Sequence, residues 1–465
     1  MVRKFLFHLL IKSARQLFTR LLTLGRFTFK KGVHPREYKH FSNSRAIEDL
    51  PLPGEVFIPM QQHLGRPCTP IVKKKDEVKT GQVIGKAEGF VSSPVHSSVT
   101  GKVKAVGPFL NSMDSRVIMV HIQRTGDDKW ELLSRPDDWK TATAEDLLQL
   151  VLDAGIVGMG GAAFPTHVKL KVSPEKPVDA FILNGCECEP YLTCDHRIMV
   201  EQTDKVLLGM AIILKILGIN NGFIGIEKNK PDAIAAVQEK VKTGGYDYKV
   251  IPLEVKYPQG AEKMLIEAIL NRYVPAGGLP GDVGVIVDNI GTANAVAEAV
   301  IEGKPLVERV VAVTGDAVLN PKNVLSRVGS TTRHILDFCG GIREDTAQVF
   351  MGGPMMGFSQ TSLSVPMQKA TSGIVCTSEV KERNQQTYPC IRCNSCVDAC
   401  PVFLLPSRLA RFTEIGAFDE AGKLGIMNCI ECGSCTFVCP SHIPILQWIR
   451  VGKFRVNELK LKATV

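Results

Sequence analysis

"CIRCNSCVDACP", from Cys390, recurs as "CIECGSCTFVCP" from Cys429. Both runs space their cysteines C-x2-C-x2-C-x3-C-P. The first holds Cys390, Cys393, Cys396 and Cys400, and the second Cys429, Cys432, Cys435 and Cys439. Two-residue gaps let one short loop offer three thiolates to three corners of a [4Fe–4S] cube, while the fourth cysteine of each run serves the other cube. Cys390, Cys393, Cys396 and Cys439 are therefore expected on one cube, and Cys429, Cys432, Cys435 and Cys400 on the second. A pair of tetrahedral zinc sites also uses C-x2-C, but has no need of further cysteines at these offsets followed by proline. Crossed ligation brings the cubes close together, so this end of the chain reads as a short electron wire.

The six other cysteines of the fourteen are scattered, which fits metal ligation in a reducing compartment better than a secreted disulfide framework. The 465 residues allow three to four domains of about 100–150 residues each. Basic residues number 56 and acidic 47, an excess of nine. Residues 1–36 alone hold nine Lys or Arg and no acid, so the body of the chain is neutral and offers no face for nucleic acid. Over residues 4–24, Lys4, His8, Lys12 and Arg15 lie opposite Phe5, Leu6, Leu9, Leu10, Leu17, Leu21 and Leu24. That pattern predicts a basic amphipathic segment (1–25), suited to an anionic membrane surface or to cleaved targeting. No run reaches the ~18 apolar residues of a membrane span; "VLLGMAIILKILGI", from Val206, is interrupted by Lys215 and reads as a buried helix.

Short alternating runs in "GQVIGKAEGFVSSPVHSSVTGKVKAV" (81–106) predict two strands, a turn and two more strands. The stretch resembles the barrel of biotinyl and lipoyl carriers, but its tip, "VSSPVHS", lacks their modifiable lysine, so a structural domain is expected. A helix is predicted from Ala144 to Asp153. Strands at 179–185, 221–227 and 248–254 then alternate with helices at about 198–217, 231–242 and "GAEKMLIEAILN", the pattern of a parallel sheet covered on both faces. Strand, turn, strand and helix over 307–341 predict a compact β-grasp-like unit, and "TSEVKERNQQTYP" a linker. The expected architecture is multidomain α/β. It comprises a carrier-like β barrel (26–126), a Rossmann-like α/β domain (135–303), a β-grasp domain (304–365) and an α-helical ferredoxin-type domain (376–465).

"GMGGAAFPTHVKL" sets Gly158, Gly160 and Gly161 where a backbone can approach a phosphate or a flat ring, with Lys169 in reach of the phosphate. It is neither a dinucleotide fingerprint nor a Walker loop. "NGCECEPYLTCDH" (184–196) mixes carboxylates with Cys186, Cys188 and Cys194. Their spacing is irregular for a cube, and two ligand sets are already complete, so small packing residues are expected, with a third metal site as the alternative. His167 and His196 read as surface or capping groups, and Cys68, Cys339 and Cys376 as packed thiols. "MGGPMMGF" (351–358) reads as core and turn. The basic helix "PILQWIRVGKFRVNELKLK" either docks on a membrane partner or caps the ferredoxin domain.

The glycine loop resembles G-R-G-G-A-G-F-P-T-G-L-K-W of the NADH-oxidising flavoprotein subunit of respiratory complex I. "NGCECEP" is similar to that family's N-A-D-E-x-E-P, "QGAEKML" to C-G-E-E-T-A-L, and "VDNIGT" to N-N-V-E-T, in the same order. "FKKGVHPREYKHFS", the barrel and the two-cluster end together look like the C subunit of the Rnf complexes, called Rsx in some bacteria. The resemblance runs from Phe27 to about Ile449. It implies FMN as cofactor, with Gly158, Gly160, Gly161 and Lys169 around its phosphate and ring. Asn184 and Glu187 would lie along the flavin, and Asn289 and Thr292 near its phosphate or ribityl chain. Phe164 would stack on the nicotinamide nucleotide, with Glu189 and Glu262 on its hydroxyls or amide. Met159 stands in place of the family's loop arginine, and Cys186 and Ala261 in place of acidic residues.

NADH surrenders two electrons as hydride and a cube takes one, and a flavin converts between them. No acid–base residue is needed for hydride transfer, so no residue is expected to be catalytic in that sense. The acidic stretch favours NADH over NADPH by repelling a 2′-phosphate. The resemblance implies a peripheral subunit on the cytoplasmic face of a bacterial membrane. Its partners would be a ferredoxin-reacting iron–sulfur subunit and membrane flavoproteins, with ion transport carried out by other subunits. A relay or scaffold protein without its own flavin is the alternative reading, and a redox-sensing regulator contacting DNA fits the neutral body poorly.

Overall fold

The structure, a computed structural model, describes residues 27–378 and 386–463, with side chains to 460. The basic segment expected at 1–25 lies outside the described residues. The chain opens with β1 (Glu48–Asp49), β2 (Glu55–Pro59), β3 (Thr69–Pro70), β4 (Glu77–Val78), β5 (Val83–Lys86), β6 (Val95–His96), β7 (Gly101–Leu110) and β8 (Arg116–Arg124). One antiparallel sheet runs β2-β8-β7-β4 and a second β3-β5-β6. Alternation along each strand turns Val56, Ile58, Val95, Val103, Val120 and Ile122 inward to form the barrel's core.

Next come α1 (Ala144–Asp153) and α2 (Thr166–Leu170), then β9 (Ala180–Gly185), α3 (Cys194–Glu201), α4 (Thr203–Leu217) and β10 (Gly222–Glu227). They are followed by α5 (Pro231–Thr243), β11 (Tyr248–Leu253), α6 (Glu262–Leu270), β12 (Val285–Asn289) and α7 (Ile290–Glu302). The four strands form a wholly parallel sheet ordered β11-β10-β9-β12. β10 is buried along its length, as a strand sandwiched between helices must be. The helix expected over about 198–217 is divided in two at Gln202, whose backbone (φ −124°, ψ 29°) leaves the helical range. Gly209 of α4 lies so close to the Ala293 backbone of α7 that any Cβ would collide with it.

β13 (Glu308–Thr314), β14 (Lys322–Arg327), α8 (Thr332–Phe338), β15 (Gln348–Met351), β16 (Phe358–Ser359) and β17 (Gly373–Thr377) complete a mixed sheet ordered β1-β14-β13-β17-β15-β16. β17 lies at its centre, parallel to β13. This domain therefore runs past the limit of 365 expected from sequence and overlaps the 376 start expected for the ferredoxin end. The final strand, "GIVCT", is too short to show a period of its own, yet it is almost wholly buried.

Lys369 is 1% exposed where the barrel, the end of α1 and the mixed sheet meet. Its Nζ donates to Gly155 O (2.7 Å) and Pro94 O (3.1 Å). Burial pushes its pKa down from 10.5 to about 8. The unfolded chain thus holds this proton more tightly than the folded protein, and the stability contributed here rises as pH climbs through that interval. Wild type should gain melting temperature relative to Lys369→Met between pH 8 and pH 10. Parallel pH profiles for the two proteins would refute it.

The carboxyl-terminal domain holds α9 (Ser395–Ala399), α10 (Pro406–Glu414), α11 (Phe418–Lys423), α12 (Ser434–Phe437) and α13 (Ile445–Ala463). Ile445, Ile449 and Val456 of α13 pack with Leu409, Ala410 and Ala421, and Arg450 and Lys453 pair with Glu431 of the second cysteine loop. Of the two readings of this helix, the structure displays the cap.

Residues 27–42, within the expected limits of the barrel domain, run as a strap over the α/β and ferredoxin-type domains. Val33 and Tyr257 exchange backbone hydrogen bonds of 2.8 Å, and Gly32 N donates to Ala399 O (3.2 Å). Lys31 Nζ donates to Val397 O (2.7 Å), and the Tyr38 ring stacks on Tyr191 at 4.6 Å. Gly32 has φ 83°, and a Cβ there would sit 2.6 Å from Tyr257 O. Among the described residues no helix is long and apolar enough to cross a membrane.

Candidate flavin and cluster sites

The glycine loop leaves α1 and folds back on itself: Gly158 N donates to Phe164 O (2.9 Å), and Val157 bridges Pro165. Gly160, Gly161 and Ala162 are exposed at its crest, and Phe164 is half-buried. Two residues at the head of α7 hold the loop. Thr292 Oγ1 accepts from Met159 N (3.0 Å), and a Cβ on Gly160 would lie 2.8 Å from Asn289 Nδ2. Asn289 also caps α7 by accepting from Gly291 N (2.8 Å), while its Nδ2 donates to Asp195 (2.7 Å).

Asn184, at the end of β9, donates to Gly260 O (2.8 Å) and accepts from Cys186 N (3.1 Å). Glu187, at φ 46°, accepts from Asp195 N (2.8 Å) and His196 N (3.2 Å) at the start of α3. Lys169 Nζ donates to Glu262 (2.7 Å) and to Val287 O (2.8 Å). Burial opposes the Lys169 charge, but Glu262 and Asp288 outweigh it and hold the pKa above its ordinary value. The glycine loop, Lys169, Asn184, Glu187, Glu262, Asn289 and Thr292 thus sit on linked elements.

The two oxygens of Glu189 accept from Met355 N (3.2 Å) and Met356 N (2.8 Å) in the loop before β16, and burial pushes its carboxyl up to about 7. It therefore ties the α/β domain to "MGGPMMGF". His196 (3% exposed) pairs with Asp232 at 2.7 Å, and His167 is likewise buried, so neither is the surface group the sequence suggested. Cys186 and Cys194 are buried and Cys188 is half-buried. Burial raises all three, Cys188 to about 12. Ligand atoms of Glu187, Cys194 and Asp195 lie within 4.8 Å of one another, but both Glu187 oxygens already accept backbone amides.

These donors fit FMN. Exposed glycine backbone accommodates a ring or phosphate, a fixed ammonium balances phosphate charge, and buried Asp195 Oδ1 has no hydrogen-bond partner among the described residues. In the carboxyl-terminal domain Cys400 lines one cavity with Cys429, Cys432 and Cys435, walled by Leu404, Leu446 and Ile449. Cys390 and Cys393 are exposed, Cys396 is buried and Cys439 half-buried. The two regions meet at Tyr257, whose hydroxyl donates to Cys432 O (2.7 Å) and whose ring packs with Val33 and Ala399.

Residues 151–298 match the Nuo51 FMN-binding domain, 27–127 the RnfC barrel sandwich hybrid domain, 310–359 the SLBB domain and 381–446 the 4Fe-4S dicluster domain. The C subunit of the proton-translocating ferredoxin:NAD(+) oxidoreductase complex of Clostridium ljungdahlii is 45% identical over 85% of this chain and 86% of its own. The Na(+)-translocating counterpart of Acetobacterium woodii is 45% identical over 92% of this chain and 96% of its own. The chain belongs to the RnfC family. The corresponding protein of the ion-translocating oxidoreductase complex of Rhodobacter capsulatus is 40% identical over 94% of this chain and 84% of its own. A solved chain of an NAD+-reducing [NiFe]-hydrogenase in the H2-reduced state aligns at 19% identity and TM-score 0.47, over 68% of this chain and 64% of that one.

Three residues that build the site in this RnfC-family chain escaped the sequence reading. Asp195 links Asn289 to the start of α3, and burial, then Glu187, pushes its carboxyl up. Arg309 on β13 donates to Met159 O (3.3 Å) and Lys369 O (2.6 Å), bracing the glycine loop from beneath. An arginine inside the apolar run "VERVVAVT" was the available signal. Lys39 donates to the carbonyls of Glu187 (2.6 Å), Glu189 (2.9 Å) and Leu192 (2.7 Å). Nothing in "REYKHF" announces a lysine whose partners are backbone oxygens.

Proposed function

We propose that this protein moves electrons between NADH and the rest of an Rnf-type complex through FMN and two [4Fe–4S] clusters. Bound FMN would supply the exchange between a two-electron hydride and single electrons. The observation that carries the reading is the junction at Tyr257, which sets the glycine-loop domain directly against the Cys432 loop. Gly158, Gly160, Gly161 and Lys169 receive ring and phosphate, and Asn184, Glu187, Asn289 and Thr292 fix the walls around them. Phe164 and Glu262 meet the dinucleotide. Cys400, Cys429, Cys432 and Cys435 hold the cluster nearer the flavin domain. Cys390, Cys393, Cys396 and Cys439 hold the other, and the exposure of Cys390 and Cys393 makes it the exit.

The parallel order β11-β10-β9-β12 supports a Rossmann-like reading of the flavin domain, and the order β14-β13-β17-β15-β16 a β-grasp reading of the next. The names of its relatives support assembly with further subunits that couple electron flow to ion transport. Within that proposal the protein docks at the cytoplasmic membrane face beside a ferredoxin-reacting subunit and membrane flavoproteins.

The test is anaerobic purification, acid release of cofactor, and assay of FMN and iron, followed by addition of NADH. One FMN with about eight irons per chain, and bleaching of both chromophores by NADH, is the expected result. Eight irons without flavin, even after FMN is supplied, would make the protein a relay.

A further inference from the structure

The barrel domain is a neighbour of the nucleotide site. Leu64 N donates to Ala163 O in the glycine loop (3.3 Å), and the hairpin tip carrying Phe90 lies along α2, with Lys171 Nζ 5.7 Å from the Phe90 ring. The tip is firm: Arg66 N donates to Val91 O (3.0 Å), and Ser92 Oγ donates to Arg66 O (3.0 Å) while accepting from Glu88 N (3.1 Å). Yet Phe90 is 63% exposed on this braced turn, and Leu64, bonded to the glycine loop, is 52% exposed. The exposed Arg66 side chain passes alongside Gly89, the residue before Phe90, so the turn that carries the ring borders a second cationic side chain besides Lys171. An exposed aromatic ring with one cation over it and another beside its turn, on a domain hydrogen-bonded to the glycine loop, suits a planar base carrying phosphates.

We infer that Leu64 and Phe90 form a subsite for the adenosine diphosphate half of the nicotinamide dinucleotide, with Arg66 and Lys171 facing its pyrophosphate. The inference rests on the proposed NADH reading and extends it to a domain assigned no ligand. The nicotinamide end stays with the glycine loop and Phe164, and the barrel takes the end that undergoes no chemistry. Binding energy collected there anchors the substrate without touching the reacting atoms. A carrier-like barrel without a modifiable lysine thus acquires a role that its fold alone does not suggest.

The experiment uses the full chain with its cofactors and two probes. ADP-ribose, titrated calorimetrically, reports on this half alone and needs no electron transfer. Phe90→Ala should weaken it about tenfold, the scale of one lost base–aromatic stack. In turnover the KM for NADH should rise by the same factor relative to that for reduced nicotinamide mononucleotide, which lacks the adenosine half. Unchanged flavin and iron content verifies the fold of this exposed-site variant, and Lys171→Ala, with a smaller loss of ADP-ribose affinity, provides a second route. ADP-ribose affinity within twofold of wild type in both variants would overturn the subsite and leave Phe90 as a contact for another protein of the complex. Equal losses for NADH and the mononucleotide would overturn it in favour of general support of the glycine loop. A wild-type protein that bleaches with NADH but ignores ADP-ribose overturns the subsite alone. One that binds neither overturns the NADH reading with it.

Discussion

Alanine at Cys400 and Cys432 together should leave as much iron as alanine at either one, about four of about eight atoms per chain. Alanine at Cys396 and Cys400, neighbours in one run, should strip both clusters. The contrast follows from crossed ligation, and the shared cavity of Cys400 with Cys429, Cys432 and Cys435 is its structural ground. If each run served its own cube, the two double variants would exchange results. Iron analysis with electron paramagnetic resonance of the reduced protein separates the cases, because loss of one cluster also removes the magnetic interaction between two. In the Cys400 and Cys432 variant, NADH should still bleach the flavin while the remaining cluster stays oxidised, since the cluster lost is the one packed against Tyr257.

The second large effect concerns Lys169. Its ammonium is the positive charge that balances Glu262 and Asp288 beside the glycine loop. Lys169→Met leaves those carboxylates facing a phosphate. Losing a charge-assisted hydrogen bond costs about 1.5–3 kcal/mol, so FMN should bind roughly ten to a hundred times more weakly. Glu262→Gln removes an acid while leaving the ammonium, and should retain the flavin. Fluorescence quenching of added FMN measures both. Full retention by Lys169→Met would reduce Lys169 to a structural partner of Glu262.

The two-cluster domain was legible because the spacing of its cysteines in sequence suits the corners of a cube. The parallel sheet was legible as apolar strands alternating with amphipathic helices, down to α1 (Ala144–Asp153), which begins and ends where expected. What escaped depends on partners distant in sequence. The tie between Glu189 and the amides of Met355 and Met356, in a stretch read only as core and turn, is one such contact. The break at Gln202 is a backbone event without Gly or Pro to announce it. β17 belongs to a sheet whose other strands lie well upstream, so local pattern assigned its residues to a boundary. Gly160 was read from the glycine loop itself and Thr292 through resemblance, whereas Asp195 and Lys39, inside quoted stretches, and Arg309 were given no role.

The strap over residues 27–42 has a temporal consequence. Gly32 and Lys31 hold the backbone of Ala399 and Val397, so their contacts await nearly the whole length of the polypeptide. During synthesis the flavin domain can complete its own sheet early, but its seam with the iron-bearing domain closes last. A ribosome-bound chain halted before residue 397 has no partner for Lys31 and Gly32. Maturation therefore has a built-in order, in which the electron path becomes continuous only as the final lacing is drawn.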